Sequence, residues 1–550
     1  MRTLGAGPPR PTRARALRRS DRCPAPENRT VERAAMNPWI VPLAASLVLA
    51  TSSAPSGDLR LTLDDAVRMA LKNDEALQIE RESSNAAAAA VTVGRGAYDQ
   101  VLSLQGSWEK SRQPLSSFLP GAVPSALVPE TGSSGMSLAL TQLLPTGGML
   151  SLHAQGARAT SIGSFTLLSP SYGTQVGLEF RHPLLRDLSI DPSRLAVRTA
   201  LADERRAHGS LQRVTAETVA GTERAYWALI AARLDVNVEE EAVRLAEEQL
   251  HETEIRASTG AASRTELAQP EAELERRRGE LLGAREAATR AENALKLMIL
   301  SDRDAGPWAT AIVPGESLQV ERESVDVAAA LERALARRPE LEEANALLTR
   351  RRVESRSAAD AARPRLDAVA RYDRYGLAGS SDAAGLSPFD GRFGESFTSL
   401  RDGDFHAASV GVVLELPLRN QEAEGARAGA QSLERQAQAG SAWARKTVRA
   451  EVLDAAAALE TAGQRIDAAQ AARRAAEVQL AAEKDRYATG LSTNFLVLTR
   501  QNDLSRARLD EISALTDYRM ARTEMARATG TLTTERGIEV QEPKRQENAR

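Results

Sequence analysis

The residues able to do chemistry are few and scattered. Five histidines, His153, His182, His208, His251 and His406, stand at no spacing that lets two of them share a metal ion. No His-Glu-x-x-His helix, glycine-rich phosphate loop or nucleophile elbow occurs, so no catalytic, cofactor-binding or metal-binding constellation is expected. The single cysteine, Cys23, rules out a disulfide framework within the chain and any zinc site built from cysteines. One polar arrangement does recur: "RASTGAASRTEL" (256–267) and "RYATGLSTNFL" (486–496) both place Arg, three residues, Gly, then a hydroxyl three positions later. Arg256 and Arg486 suit the last turn of a helix, where a cation complements the dipole, and Gly260 and Gly490 suit the left-handed position that ends it. Ser263 and Thr493 then suit the N-caps of return helices, and Ser-Arg-Thr-Glu (263–266) has the spacing of a capping box. Two helical hairpin tips are predicted. Glu266 brings a carboxylate to the first, and Leu491, Phe495 and Leu496 bring apolar side chains to the second.

The elements that carry these tips are long. Aromatics are only 4% of the 550 residues while Ala, Arg, Glu and Leu dominate, the bias of extended helix and coiled coil. A formal net charge of −3 gives no reason to expect a nucleic-acid partner. Val448, Val452, Ala455, Leu459, Ala462, Ile466 and Ala469 step by four and three alternately, and Ala476, Leu480 and Tyr487 keep that register. Only Arg473 and Glu483 interrupt the seam, which calls for a partner helix along its whole length. The pattern predicts helices over 421–488 and 493–529, and over 193–257 and 263–299. An opening helix is read over 61–99, with Thr62 as N-cap, and its copy begins at 325. Ala66, Ala70, Leu71 and Leu77 fall on Ala330, Ala334, Leu335 and Leu341 without a gap. The chain is two halves of one design, divided at 58–310 and 311–530, with residues 531–550 expected to be a disordered tail.

Between these helices the period changes from 3.6 to 2. "LSLQGSWE" (102–109), "MSLALTQLL" (136–144), "MLSLHAQ" (149–155) and "VGLEF" (176–180) alternate apolar with small or polar residues, as do "LDAVARYD" (366–373) and "SVGVVLELPL" (409–418). Gly177, Pro183 and Leu184 match Gly411, Pro417 and Leu418 at one constant offset, so the strand exits are repeated too. Such two-faced strands fit a sandwich or a lipid-facing barrel wall; one copy offers too few to close a membrane barrel alone, so several copies would complete it. Residues 1–57 read as an Arg- and Pro-rich extension followed by a signal peptide. Met36 is the expected start, the apolar run covers Trp39 to Ala50, and Ala50 or Ala54 is the cleavage point.

From about residue 60 to 530 the chain resembles the TolC-like outer-membrane efflux proteins. The carriers are "LTLDDAVRMALKN", its repeat "VDVAAALERALARRPEL", the strand exits "HPLL" and "LPLR", and the two tips, in order and duplicated. The resemblance implies a mainly α fold with a β-barrel portion. Three copies would form a helical tunnel continuous with a twelve-stranded outer-membrane barrel, four strands from each copy. On that count the extra strand runs near 136–156 would lie outside the barrel or in loops. It also implies an exit channel for a tripartite efflux pump or type I secretion system, placed in the bacterial outer membrane with a long periplasmic extension. The partners implied are a homotrimer, outer-membrane lipid, a periplasmic adaptor and, through it, an inner-membrane transporter that selects the cargo. Arg256, Gly260, Ser263, Arg486, Gly490, Leu491 and Thr493 would dock the adaptor. Some members carry gate aspartates six and nine residues after the tip glycine, where this chain has Glu266 and Gln269, then Leu496 and Thr499. Pro270 is expected to kink its helix near that mouth. The rival class is a secreted or periplasmic coiled-coil scaffold that binds partners and conducts nothing.

Overall fold

The computed structural model describes residues 59–112, 130–161, 167–260, 263–301, 308–381 and 387–540. The expected leader with Cys23 and Met36, and residues 541–550, lie outside them. Two series of elements follow one another. The first is β1 (Leu59–Leu61), α1 (Leu63–Asn73), α2 (Glu75–Arg95), β2 (Val101–Arg112), β3 (Glu130–Leu143), β4 (Met149–Ser161), β5 (Ser171–Pro183), α3 (Pro192–Ser258) and α4 (Arg264–Ile299). The second is β6 (Ile312–Pro314), α5 (Val327–Arg337), α6 (Pro339–Ala361), β7 (Arg365–Gly379), α7 (Phe393–Asp402), β8 (Phe405–Glu415), α8 (Gln421–Ala488), α9 (Asn494–Thr529) and the short α10 (Leu532–Glu535).

The stretch 61–99, expected as one helix, is two. Asp74 is extended at ψ 117° and caps α2, its carboxylate accepting from the N–H of Ala76 at 2.8 Å and of Leu77 at 3.3 Å. Arg338 holds the same place in the second series, and Pro339 opens α6. The breaks exist because each opening helix stands end to end on a helix remote in sequence. Asn73 Nδ2 donates to the carbonyl of Ile299, the last residue of α4, at 2.7 Å. Buried Arg338 donates from Nη1 to the carbonyl of Ala528, near the end of α9, at 3.3 Å. At both joints a helix N-terminus meets a helix C-terminus, so the dipoles run head to tail. Packed side by side, the helices make four columns in the order α2 on α4, then α3, then α6 on α9, then α8. At about 1.5 Å per residue the 67-residue α3 and 68-residue α8 are each roughly 100 Å long.

The seam behaves as its spacing requires. Val448, Val452, Ala455, Leu459, Ala462 and Ile466 are all buried, against Ala514, Tyr518 and Met525 of α9 and, near the joint, Ala330 and Leu341. The two interruptions are answered by polar partners: Arg473 Nε pairs with Glu511 of α9 at 2.6 Å, and Glu483 accepts the Ser492 hydroxyl at the tip.

The strands form one antiparallel sheet in the order β2-β3-β4-β5-β7-β8. The sheet of one copy thus has six strands, two more than the four expected to enter the barrel, and the runs near 136–156 pair within it rather than lying in loops. The hairpin β3–β4 lies between β2 and β5 because its backbone pairs along its length on both sides. Its turn, Pro145-Thr146-Gly147-Gly148, places Gly147 at φ 88°, where only glycine is at ease. Side chains keep a strict alternation across all six strands. One row reads Leu102, Leu140, Leu152, Leu178, Tyr372, Ala408, and the next, on the opposite face, Ser103, Ala139, His153, Gly177, Asp373, Ala407. α7 packs on the apolar face at one end of β5 and β7. There the Thr174 hydroxyl donates to the Ser396 carbonyl at 2.9 Å, and a Cβ on Gly376 would collide with that same carbonyl.

About halfway along α3 the halves are tied together by a parallel pair, β1 with β6. Tyr226 is fully buried, its hydroxyl donating to the Leu61 carbonyl at 3.0 Å and accepting from the Gly315 N–H at 3.2 Å. Trp227, Leu229, Leu295 and Ile299 pack around it with Ala66, Val67 and Ala70 of α1. Residues 531–540, expected in a disordered tail, fold back onto this core. Leu532 is buried within it, and Arg536 pairs with buried Glu223 and with Asp64, each at 2.8 Å.

Candidate functional site

The two tips lie side by side. At the end of α3, Arg256 pairs with Glu252 at 3.2 Å, and its guanidinium carbon sits 4.3 Å above the ring of Tyr487 at the end of α8. This cation–π contact joins the two repeats within one copy. Burial pushes the Tyr487 phenol above its usual range; Arg256 opposes the rise, and the carboxylates of Glu252 and Glu266 add to it. Arg256, Glu266 and Tyr487 are therefore one electrostatic group, whereas Arg486 turns to Glu483 at 3.5 Å. Tyr487 was legible in the sequence only as a seam residue, since nothing in one repeat announces the arginine supplied by the other.

Both tip glycines adopt the left-handed conformation, Gly260 at φ 79° and Gly490 at φ 76°. In the second tip the Leu491 N–H bonds the Arg486 carbonyl at 2.8 Å and the Gly490 N–H bonds the Tyr487 carbonyl at 3.1 Å, the paired closure of a Schellman motif. The Thr259 and Thr489 hydroxyls donate to the carbonyls of Arg256 and Arg486 at 3.0 and 2.9 Å, so the helix ends are closed alike. The expected capping box has a different form. The Glu266 N–H bonds the Ser263 carbonyl at 3.0 Å, and the Ser263 hydroxyl meets the Glu266 carboxylate at 3.3 Å. Thr493 occupies the N-cap position of α9, but its carbonyl rather than its hydroxyl accepts, from Leu496 at 3.1 Å and Val497 at 3.3 Å.

The residues read as a gate divide by character. Glu266 and Gln269 are exposed on α4; Leu496 is exposed on α9 beside Leu491 and Phe495, and the Thr499 hydroxyl is turned back to the Phe495 carbonyl at 2.8 Å. Leu491 is 80% exposed, so the second tip ends in apolar surface that no described residue of its own chain covers. Pro270 is fully buried inside α4, which runs unbroken from Arg264 to Ile299.

At the far end of the columns the sheet offers a second surface. Along its apolar face Leu102, Leu104, Leu178 and Val412 stand exposed, Trp108 is 77% and Val410 is 90% exposed. The opposite face carries a polar network: His153 Nε2 lies 2.9 Å from Asp373 Oδ1, Gln175 Nε2 donates to that oxygen at 2.9 Å, and Arg371 Nε donates to Oδ2 at 2.6 Å. A sheet with one exposed apolar face and one polar face has the two-sided character that a strand wall between lipid and water requires. Among the described residues no helix is long and apolar enough to cross a membrane, and no group of three or more His, Cys, Asp or Glu is placed to hold a metal ion.

Residues 330–531 match the family described as outer membrane efflux protein. No curated protein matches the sequence. Among solved structures, the Campylobacter jejuni CmeC outer membrane channel is similar over 86% of this chain and 86% of its own, at 17% identity and a TM-score of 0.61. The outer membrane protein VceC of Vibrio cholerae is similar over 85% of this chain and 96% of its own, at 17% identity and a TM-score of 0.60. The open state of the Neisseria gonorrhoeae MtrE outer membrane channel is similar over 88% and 94%, at 18% identity and a TM-score of 0.58. At these identities the likeness is one of fold.

Proposed function

We propose that the chain is a TolC-like outer membrane efflux protein and, on that premise, the outer-membrane exit duct of a tripartite efflux or type I secretion system. The observation that carries the reading is the union, in one chain, of a sheet with an exposed apolar face and helical columns about 100 Å long. The apolar face suits the outer membrane, and the helical columns reach far enough to cross much of the periplasm.

One copy is an open strip. Its sheet ends at β2 and β8 and its helices end at the α2–α4 column and α8, so closure needs further copies, three on the family's pattern. The tips then ring the periplasmic mouth. Leu491 and the glycine turns at 260 and 490 dock a periplasmic adaptor, which joins the duct to an inner-membrane transporter. Arg256, Arg486, Ser263 and Thr493 hold the turns in shape for that contact. Glu266 and Gln269, with Leu496 and Thr499, line the constriction, and the Arg256–Tyr487 contact ties the tips together in the conformation described.

Membrane fractionation tests the reading. A heat-sensitive oligomer released from the outer membrane by detergent is expected; a soluble periplasmic form would overturn it and favour a scaffold. Replacing Gly490 by Val forces a branched residue into the left-handed conformation. Export should fall while the amount of assembled oligomer is unchanged, and unaltered export would remove the docking role.

A further inference from the structure

We infer that the β3–β4 hairpin is part of the membrane wall, so that three copies close a barrel of eighteen strands rather than twelve. The inference rests on the proposed trimeric duct and adds to it the number of strands.

The four helical columns continue into four strands: α2 leads into β2, β5 into α3, α6 into β7 and β8 into α8. The hairpin is inserted between the first and second columns. Being two strands, it returns the chain to the end it left, so β5 keeps its direction and the antiparallel order is intact. β3 and β4 are 14 and 13 residues long, beyond the roughly 9–11 a tilted strand needs to span a bilayer. They also carry the same alternation, Leu138 and Leu152 on the apolar face with Ser137 and Gln155 on the other. For the hairpin to leave the wall, the β2–β3 and β4–β5 ladders would both have to break before β2 could pair with β5, and in hydrocarbon no water satisfies the groups freed meanwhile. The sheet's own edges are β2, 12 residues, and β8, 11 residues. They run in opposite directions, so β8 of one copy can pair antiparallel with β2 of the next.

Width gives an independent reason. At a strand spacing of about 4.8 Å and a tilt of about 40°, each strand takes roughly 6 Å of circumference, so six span roughly 38 Å and four only roughly 25 Å. Four helical columns spaced about 8–10 Å apart span roughly 32–40 Å. Six strands therefore match the arc of the columns beneath them. The barrel stays as wide as the tunnel, with a backbone radius of roughly 18 Å against roughly 12 Å for twelve strands.

The test uses single cysteines in the full chain, labelled in outer-membrane vesicles with a charged maleimide. Leu178→Cys and Gln175→Cys on β5 serve as references that lie in the wall for either strand count. Leu138→Cys is expected to label about tenfold or more slowly than Ser137→Cys, as Leu178→Cys does relative to Gln175→Cys, because hydrocarbon excludes the charged reagent. Equal labelling at 137 and 138, with alternation kept at 175 and 178, would overturn the eighteen-strand wall and leave the duct standing. Loss of alternation at both pairs, or absence of a trimer, would overturn the duct and this inference with it. Electron cryomicroscopy of the unmodified trimer gives the strand count without any substitution, and twelve strands in cross-section would refute the inference.

Discussion

Replacing Arg338 by Met should destabilise the helical columns more than almost any other single change of a charged residue. Its guanidinium donates to the Ala528 and Arg527 carbonyls at 3.3 and 3.4 Å, to Glu340 at 2.8 Å and to Glu451 at 2.6 Å, and its side chain is 3% exposed. The two carboxylates are 28% and 34% exposed, so water can replace the cation there. The Arg527 carbonyl keeps the Gly530 N–H at 3.0 Å, but the carbonyl of the wholly buried Ala528 has no such recourse. A lost charge-assisted hydrogen bond costs about 1.5–3 kcal/mol. The dipole contact at a partly buried helix C-terminus adds up to about 2 kcal/mol. Together they give about 3–5 kcal/mol, the range for breaking a buried ionic contact. Met fills much of the same volume, so little of this is cavity cost. Lys keeps the charge but not the planar fork, and Arg338→Lys should lose about half as much. The assay is urea titration of the detergent-solubilised oligomer, followed by helical ellipticity. Arg401→Met, at a side chain 82% exposed, is the control and should shift stability by no more than about 0.5 kcal/mol. If Arg338→Met matched that control, the account of the joint as a cation seated on a helix terminus would be wrong.

Three further expectations concern the wall, the tips and the pH response. Leu104→Arg puts a charge on the lipid face of β2 and should lower assembled oligomer in the membrane, at a cost of about 2–4 kcal/mol per copy near the bilayer centre. Gln105→Arg, one residue on and facing water, should leave the yield unchanged, and equal effects would mean the faces are misassigned. A double-mutant cycle of Arg256→Ala and Tyr487→Ala, read as single-channel open probability, should give a coupling of about 0.5–2 kcal/mol. Strict additivity would show that the ring and the guanidinium act separately. Burial, with Glu239 adding, raises the Asp235 carboxyl to about 6. The folded chain then binds this proton more tightly than the unfolded chain does. Its contribution to stability accordingly declines as pH rises from about 4 to about 6 and stays low above that. Asp235→Asn should melt higher than the unmodified protein at pH 7.5 and at the same temperature at pH 4; a constant difference at both would exclude titration as the cause.

What was legible in the sequence was whatever a local period or a local turn dictates. The long helices begin and end within a residue or two of their caps, the seam from Val448 to Leu480 is buried, and Gly260 and Gly490 are left-handed as their positions require. What was not legible depended on residues far away. Nothing between Leu63 and Arg95 demands a break at Asp74 until Ile299 supplies the surface on which α2 stands. The tail's fold depends on Glu223, and the character of the first tip depends on Tyr487. The strand count turned on the same point. Alternation marked all six runs, but only pairing along both sides of β3–β4 shows that the hairpin lies within the sheet.

The end-to-end joints also fix an order of events. Asn73 and Ile299 are separated by 226 residues, and Arg338 and Ala528 by 190. Contacts closed across such distances are slow to form, since the chain loses its freedom before the contact returns any energy. In a chain delivered N-terminus first, as the proposed duct would be, α2 has no foundation until the whole of its own hairpin has arrived, and α6 waits until Ala528. A chain truncated within α9 would retain every strand and both long helices, yet lack the seat for Arg338. Quality control of this protein would then turn on whether the end of α9 has arrived to seat Arg338.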